Sequence, residues 1–277
     1  MSASKKAAVL AGVAVAALAL GACAKPAGSG SAEAPKQQSV LALMAADATG
    51  SLHKSVETTG KSTSVTVTMT GTAAGQKLNM RGAVDLGDPH KMDMTLDDPK
   101  QGPTTVRMIG TAIYVQVPAA QRKSMNGKKW FKMDLGAENS AEMSRQFDDM
   151  DPAKGMKRLL DGKNVTVVGQ ETVDGVPTVH YTTTTSIDSY LGEVDGKVRK
   201  DAKAQLAKTG VKEVKIDAWV DEQYRPRQVH MLMGKQGDFT VRYTDYDKPV
   251  TVQTPPAGEV MDFATMMNQL KDLSAGN

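Results

Sequence analysis

The sequence contains a single cysteine, Cys23, among its 277 residues. One thiol excludes an internal disulfide and any zinc site built from several cysteines. Aromatic residues are scarce, at 4% of the chain, so the core must rely on aliphatic side chains and on the 17 methionines. The four histidines are scattered and form no metal-binding or hydrolase motif. We therefore expect no enzymatic activity, no catalytic residues, no metal and no cofactor.

The start of the chain follows the plan of a bacterial export signal. A short basic start precedes residues 7–22, which carry no charge and of which half are alanine. This run is shorter than the roughly 20 apolar residues that span a bilayer. The sequence "LALGAC" places Leu20 three positions before Cys23 and resembles a lipobox. The resemblance implies cleavage between Ala22 and Cys23, and a thioether-linked diacylglycerol on Cys23.

An ordinary secretory signal cut after Ala22, with Cys23 as a free thiol, is the alternative. Loss of residues 1–22 removes two lysines, so the formal charge falls from +3 to +1 and does not indicate a nucleic-acid partner. The following residues are rich in Gly, Ser, Ala and Pro, which predicts a flexible tether. We divide the chain into a signal peptide (1–22), a lipidated tether (23–38) and one domain (39–277). We expect a monomer anchored at the extracytoplasmic face of the cell membrane.

Apolar and polar residues alternate over many short segments of the domain. Six segments lie between Val65 and Leu135, two span Val165–Val173 and Thr178–Thr184, and three lie between Val214 and Tyr243. Alternation with a period of two predicts half-buried antiparallel strands. The sequence thus predicts a curved sheet of about eleven strands with one apolar face.

Five other segments show the spacing of amphipathic helices. Ser39 is placed to cap the first, and Asp151 with Pro152 is a helix start signal. The predicted helices are 39–58, Ser140–Met150, Pro152–Leu160, Ile187–Lys208 and Phe263–Leu273. Because each has one apolar stripe, we expect an α+β half-barrel whose helices cover the concave side of the sheet.

The inward strand positions are rich in methionine and valine. Methionine adapts to irregular apolar partners, so we interpret these positions as the wall of an apolar cavity, with a solid core as the alternative. In this interpretation Met94→Lys removes acyl-chain binding and lowers stability less than a charge in a solid core would. The predicted cavity-lining residues are Val67, Met69, Met80, Met94, Met108, Val115, Met231 and Val241.

The lipobox, the tether, "KSTSVTVTMTG", and "MNGKKWFKMDL" after "AIYVQV" resemble the actinobacterial LppX and LprG type lipoproteins, within the LolA/LolB-like superfamily. The resemblance covers most of residues 39–250. Its most specific part is Gly127 to Phe131, where the family commonly has Gly-x-x-Trp-Tyr. It implies a half-barrel with helices across its concave side, and lipid or acyl-chain binding or carriage between membrane and envelope. It transfers no ligand-contacting residue to this sequence.

A second function stays open: an envelope lipoprotein that senses or docks a protein partner. A dedicated envelope transporter is a further possible partner. We interpret the basic face of the long helix, which includes Lys203 and Lys208, as a solvated surface rather than a headgroup site. His180, in a Thr-rich strand, is interpreted as a structural histidine.

Overall fold

The computed structural model describes residues 39–73, 75–87, 89–98, 102–134, 136, 150–162, 164–192, 199–200, 203–204, 206, 208–263 and 266–267. The predictions for Ala22, Cys23 and the tether, for the helix at 140–149 and for most of the C-terminal helix lie outside these residues. Residues 38–277 form one compact unit. The buried side chains of the described part lie between Leu41 and Met261. This part of the chain carries its own core and can fold on its own.

Twelve strands form one curled sheet in the order β12-β6-β5-β4-β3-β2-β1-β11-β10-β9-β8-β7. The strands are β1 (Ser64–Ala73), β2 (Gln76–Asp85), β3 (Lys91–Asp98), β4 (Gly102–Ile109), β5 (Ala112–Gln116), β6 (Trp130–Asp134), β7 (Thr166–Val173), β8 (Val176–Ser186), β9 (Glu213–Asp221), β10 (Pro226–Leu232), β11 (Gly237–Thr244) and β12 (Val260–Asp262). The predicted α+β fold with a curved antiparallel sheet is confirmed. All neighbouring strands pair antiparallel except β6 and β12. That three-residue strand pairs parallel to β6 and was not predicted.

The first predicted helix is two helices, α1 (Val40–Ala46) and α2 (Ala48–Thr59). Ser39 caps α1 as predicted, because its hydroxyl accepts a hydrogen bond from the Ala42 amide at 3.2 Å. Asp47 interrupts the helix with φ −130° and ψ 83°, and its carboxylate accepts from the Gly50 amide at 2.8 Å. This cap satisfies an amide that would otherwise lack a partner in the first turn of α2, which is why the helix restarts here.

The next described helix, α3 (Pro152–Asp161), begins as predicted: the Asp151 carboxylate accepts from the Ala153 amide at 2.8 Å. The prediction of one continuous helix from Ile187 to Lys208 is wrong. Here α4 (Ile187–Tyr190) ends in a turn at residues 191–192, where the Gly192 amide bonds back to the Ser189 carbonyl. Glycine stabilises a helix poorly, so the chain leaves the helix at this position. Residues 193–198 lie outside the described part.

The described helices lie on one face of the sheet, which we call the inner face. α1 contacts β7 and β8, α3 contacts β9 and β10 and packs on α2, and α4 contacts β8 and β9. The Tyr181 hydroxyl of β8 donates to the Met44 carbonyl of α1 at 3.2 Å, which fixes the helix to the sheet. Within the described part, no helix combines the length and hydrophobicity that crossing a bilayer requires.

Candidate functional site

All eight predicted cavity-lining residues lie on the inner face. Residues that pair directly in neighbouring antiparallel strands point to the same side, and alternate residues along a strand share a side. Val67 pairs with Gly82, which pairs with Met94, and that row continues through Val106 to Val115. A second row joins Met80, Met69 and Val241. Met108 lies two residues after Val106 in β4, and Met231 lies two residues after Val229, the partner of Val241, in β10. Both therefore also lie on the inner face.

Burial divides these eight residues into two groups. Val67, Met94, Met108 and Val241 keep at most 3% of their surface exposed, so protein atoms enclose them. Met69, Met80, Val115 and Met231 are half-buried and keep surface that a ligand could cover. The second group is therefore better placed than the first to contact a ligand, while the assignment of all eight to a cavity wall stays a prediction.

Gly82 explains why Met94 is enclosed. A Cβ atom at Gly82 would lie 2.7 Å from the Met94 sulfur and 2.0 Å from the Asp93 carbonyl oxygen. The methionine side chain thus lies across the backbone of β2, in the space that any other residue at position 82 would fill. Met94 packs as a core residue for this reason.

A strip of half-buried apolar side chains runs across the inner face from β2 to β6, away from the strands that the described helices contact most. Sequence reasoning included Met80 and Val115 of this strip and missed its other members. Their alternation was visible, but their partial exposure depends on where the helices lie. The missed residues are Leu96, Val106, Ile113, Phe131 and Met133.

The Gly-x-x-Trp segment serves a structural purpose. Trp130 lies on the outer face, buried beneath the Arg107 guanidinium, which is 4.8 Å from the ring centroid. Arg107 also donates to the Gln253 carbonyl at 3.0 Å, and the Lys129 amide donates to the Glu259 carbonyl at 2.9 Å. The segment therefore holds the C-terminal stretch that leads into β12. Phe131, the next residue, has the opposite parity and joins the inner face.

Imidazole and carboxylate groups alternate across five strands on the outer face. His180 Nδ1 lies 3.0 Å from Glu171 Oε1, and its Nε2 lies 3.0 Å from Asp217 Oδ1. His230 Nδ1 lies 3.7 Å from Asp217 Oδ2, and its Nε2 lies 2.8 Å from Asp238 Oδ1. Both ring nitrogens of His180 are engaged, in agreement with a structural role. Among the described residues, no group of His, Cys, Asp and Glu is arranged to hold a metal ion.

This row predicts a pH dependence of stability. Hydrogen bonds from the Trp219 indole and from His180 lower the pKa of Glu171. Burial raises the pKa of Asp217, but hydrogen bonds from neighbouring side chains, Lys215 and His180 among them, lower it by more. A carboxyl group whose pKa is lowered by folding stabilises the fold above its unfolded pKa of about 4, and this stabilisation is lost as the pH falls through the folded pKa.

We expect His180→Ala to reduce the loss of unfolding free energy between about pH 5 and about pH 3, because both carboxylates lose a donor. Urea unfolding at a series of pH values measures this loss. His53, exposed on α2, provides the matched control as His53→Ala. Equal pH dependence in the His180 variant and the unmodified chain would contradict the assignment.

A family model described as LppX_LprAFG lipoprotein matches residues 42–252. Two Streptomyces proteins are similar in sequence. The S. griseus protein, described as an uncharacterized 31.2 kDa protein, is 29% identical over 222 residues, covering 76% of this chain and 67% of its own. A protein of S. coelicolor, named as a candidate lipoprotein, is 28% identical over 261 residues, covering 86% and 82%.

Two solved structures share the fold. The Mycobacterium tuberculosis lipoprotein LppX superimposes with a TM-score of 0.52 at 18% identity, over 74% of this chain and 97% of its own. LprF from Mycobacterium bovis gives 0.50 at 15% identity, over 76% and 97%. These similarities confirm the predicted type of half-barrel, and at such low identity they support the fold alone.

Proposed function

The chain belongs to the LppX_LprAFG lipoprotein family, and we propose that it is a lipid-anchored protein of the cell envelope that binds lipid acyl chains on the inner face of its sheet. The observation that carries the proposal is the half-buried apolar strip across β2 to β6. We propose that Cys23 carries the lipid anchor of the protein and that the protein lies at the extracytoplasmic face of the cell membrane.

The chemistry of the strip suits an acyl chain. Between the strand ends, the inner positions of β2 to β6 carry no charged side chain. An acyl chain offers only apolar surface, so its binding free energy comes from removing that surface and the strip from water. Methionines and Phe131 provide flexible and broad contacts of the kind found in apolar binding sites.

Native mass spectrometry of residues 39–277, followed by lipid extraction, tests the proposal directly. We expect a bound lipid, and we expect a fluorescent fatty acid to bind the delipidated domain. Val115→Glu should weaken that binding by at least about tenfold, since a carboxylate beside an acyl chain costs more than about 1.4 kcal/mol. Thr184→Glu is the matched control, because Thr184 is exposed and has outer-face parity in β8.

Three results would overturn the proposal. The unmodified domain could carry no lipid and bind no probe, which would favour a lipoprotein that docks a protein partner. Probe affinity could be unchanged in the Val115 variant. Finally, the two variants could lose equal affinity, in which case added charge alone would explain the loss.

A further inference from the structure

Six lysines from separate parts of the chain converge at one end of the sheet. This end holds the β1–β2 and β10–β11 hairpins and the segment that enters β9, because the adjacent strands β2, β1, β11, β10 and β9 are antiparallel to one another. We call these lysines the basic rim; they are Lys77, Lys203, Lys208, Lys212, Lys215 and Lys235. All six lysines are exposed. Two lie at the hairpins, one lies near the start of β9, and Lys203, Lys208 and Lys212 lie on the segment before β9.

The rim is a connected surface. A Cβ atom at Gly234, in the β10–β11 hairpin, would lie 3.8 Å from Val211. The Lys212 carbonyl accepts from the Ile187 amide at 3.0 Å, which ties the segment before β9 to the end of β8. Thr72 of β1 pairs with Lys77 on one side and with Asp238 on the other. The lysines therefore follow adjacent strand ends from β2 to β9.

Little of this charge is neutralised. Lys203 pairs with Asp188 at 2.6 Å, but both side chains are more than half exposed, so the pair contributes little. Lys215 pairs with Asp217 at 3.0 Å. Within the described part of the chain the other four lysines of the rim form no ion pair. Among the described residues of β1, β2, β8 to β11 and the segment before β9, four carboxylates lie among the six lysines, namely those of Asp188, Glu213, Asp217 and Asp238.

Across β1, β2 and β7 to β11, the two ends of the sheet differ in charge. At the opposite end, turns carry Asp174, Glu222, Asp245 and Asp247, and the basic residues near them are paired with carboxylates. Arg225 pairs with Asp247 at 2.6 Å, for example. An anionic surface would therefore attract the end that carries the basic rim and orient the domain with that end towards it.

We propose that the basic rim is the surface by which the domain docks on a bilayer containing anionic lipids. The inference rests on the proposed function, in which acyl chains reach the inner face. Half-buried Met233 and Phe239 lie behind the rim at the same end of the sheet, where they continue the apolar inner face. A chain that leaves the bilayer at the rim would meet apolar side chains at once.

The composition of the rim favours a bilayer over an acidic protein. Protein interfaces are depleted in lysine and enriched in arginine, whose rigid fork pairs with carboxylates. Lysine is a compact charge on a flexible stem, and clusters of lysine near a membrane bind anionic headgroups without fixed geometry.

Co-sedimentation of residues 39–277 with vesicles tests the proposal without any contribution from the anchor. We expect binding to phosphatidylcholine vesicles that contain phosphatidylglycerol, weakened by added salt, and none to phosphatidylcholine alone. K208Q/K212Q/K235Q should bind about a hundredfold more weakly, since each lysine near an anionic surface contributes about fivefold. K61Q/K91Q/K248Q, which removes three lysines at the opposite end, should retain binding.

Thermal unfolding tests whether both triple variants are folded. If K208Q/K212Q/K235Q does not fold, the single variant K235Q replaces it and is expected to bind vesicles about fivefold more weakly than the unmodified domain. The proposal is overturned if the unmodified domain ignores anionic vesicles, or if the two triple variants lose equal affinity. The fatty-acid probe separates this test from the proposed function. Probe binding without vesicle binding refutes the rim alone, and vesicle binding without probe binding refutes the carrier function alone.

Discussion

Replacing Met94 with lysine is expected to lower the free energy of unfolding by about 3 to 5 kcal/mol. Met94 is 2% exposed, and its sulfur occupies the space above Gly82. A lysine there would place an ammonium group among Val67, Val84 and Met108 with no partner. Urea unfolding of residues 39–277 measures the loss.

Met80→Lys is the matched control for this change. Met80 is half-buried on the same face, one strand away, so a lysine there can extend its ammonium group into water. We expect a loss of about 1 kcal/mol or less from Met80→Lys, together with weaker fatty-acid binding. If Met94→Lys is instead no more destabilising than Met80→Lys, Met94 borders an open cavity, as the sequence interpretation held.

The sequence predicted which residues share the inner face, because alternation with a period of two is a local property of each strand. It could not predict how deeply each residue is buried. Met80 and Met94 look alike in sequence, and they differ because Gly82 of the neighbouring strand gives room to Met94 alone. Partners of this kind are set by strand pairing, which brings together residues that are distant in the chain.

The remaining differences in the fold also have non-local causes. β12 has only three residues, too few for a pattern, and exists because Arg107 and Lys129 hold the preceding segment against the sheet. The basic rim was likewise not visible as a cluster. The sequence indicated only the basic face of one helix, and the hairpins that bring Lys77 and Lys235 to the same end lie outside that helix.

The anchor is the part of the proposal that depends on sequence alone. The described part begins with Ser39, which caps α1, and 15 residues lie between Cys23 and Ser39. The sequence predicts a flexible tether here, and a flexible chain of that length would span about 20 Å. Acyl chains on Cys23 would hold the protein at the bilayer through about 0.8 kcal/mol for each buried methylene, and two chains anchor far more stably than one.

Cys23→Ser is therefore expected to move nearly all of the full-length protein out of the membrane fraction or to leave its signal uncleaved, because a serine hydroxyl cannot carry the thioether. Detergent phase partitioning and the mass of the N-terminal peptide measure both results. Ser29→Ala, a change within the tether that leaves "LALGAC" intact, should mature and partition normally. A Cys23→Ser protein that still matures and still enters the detergent phase would show that Cys23 is not the lipid anchor.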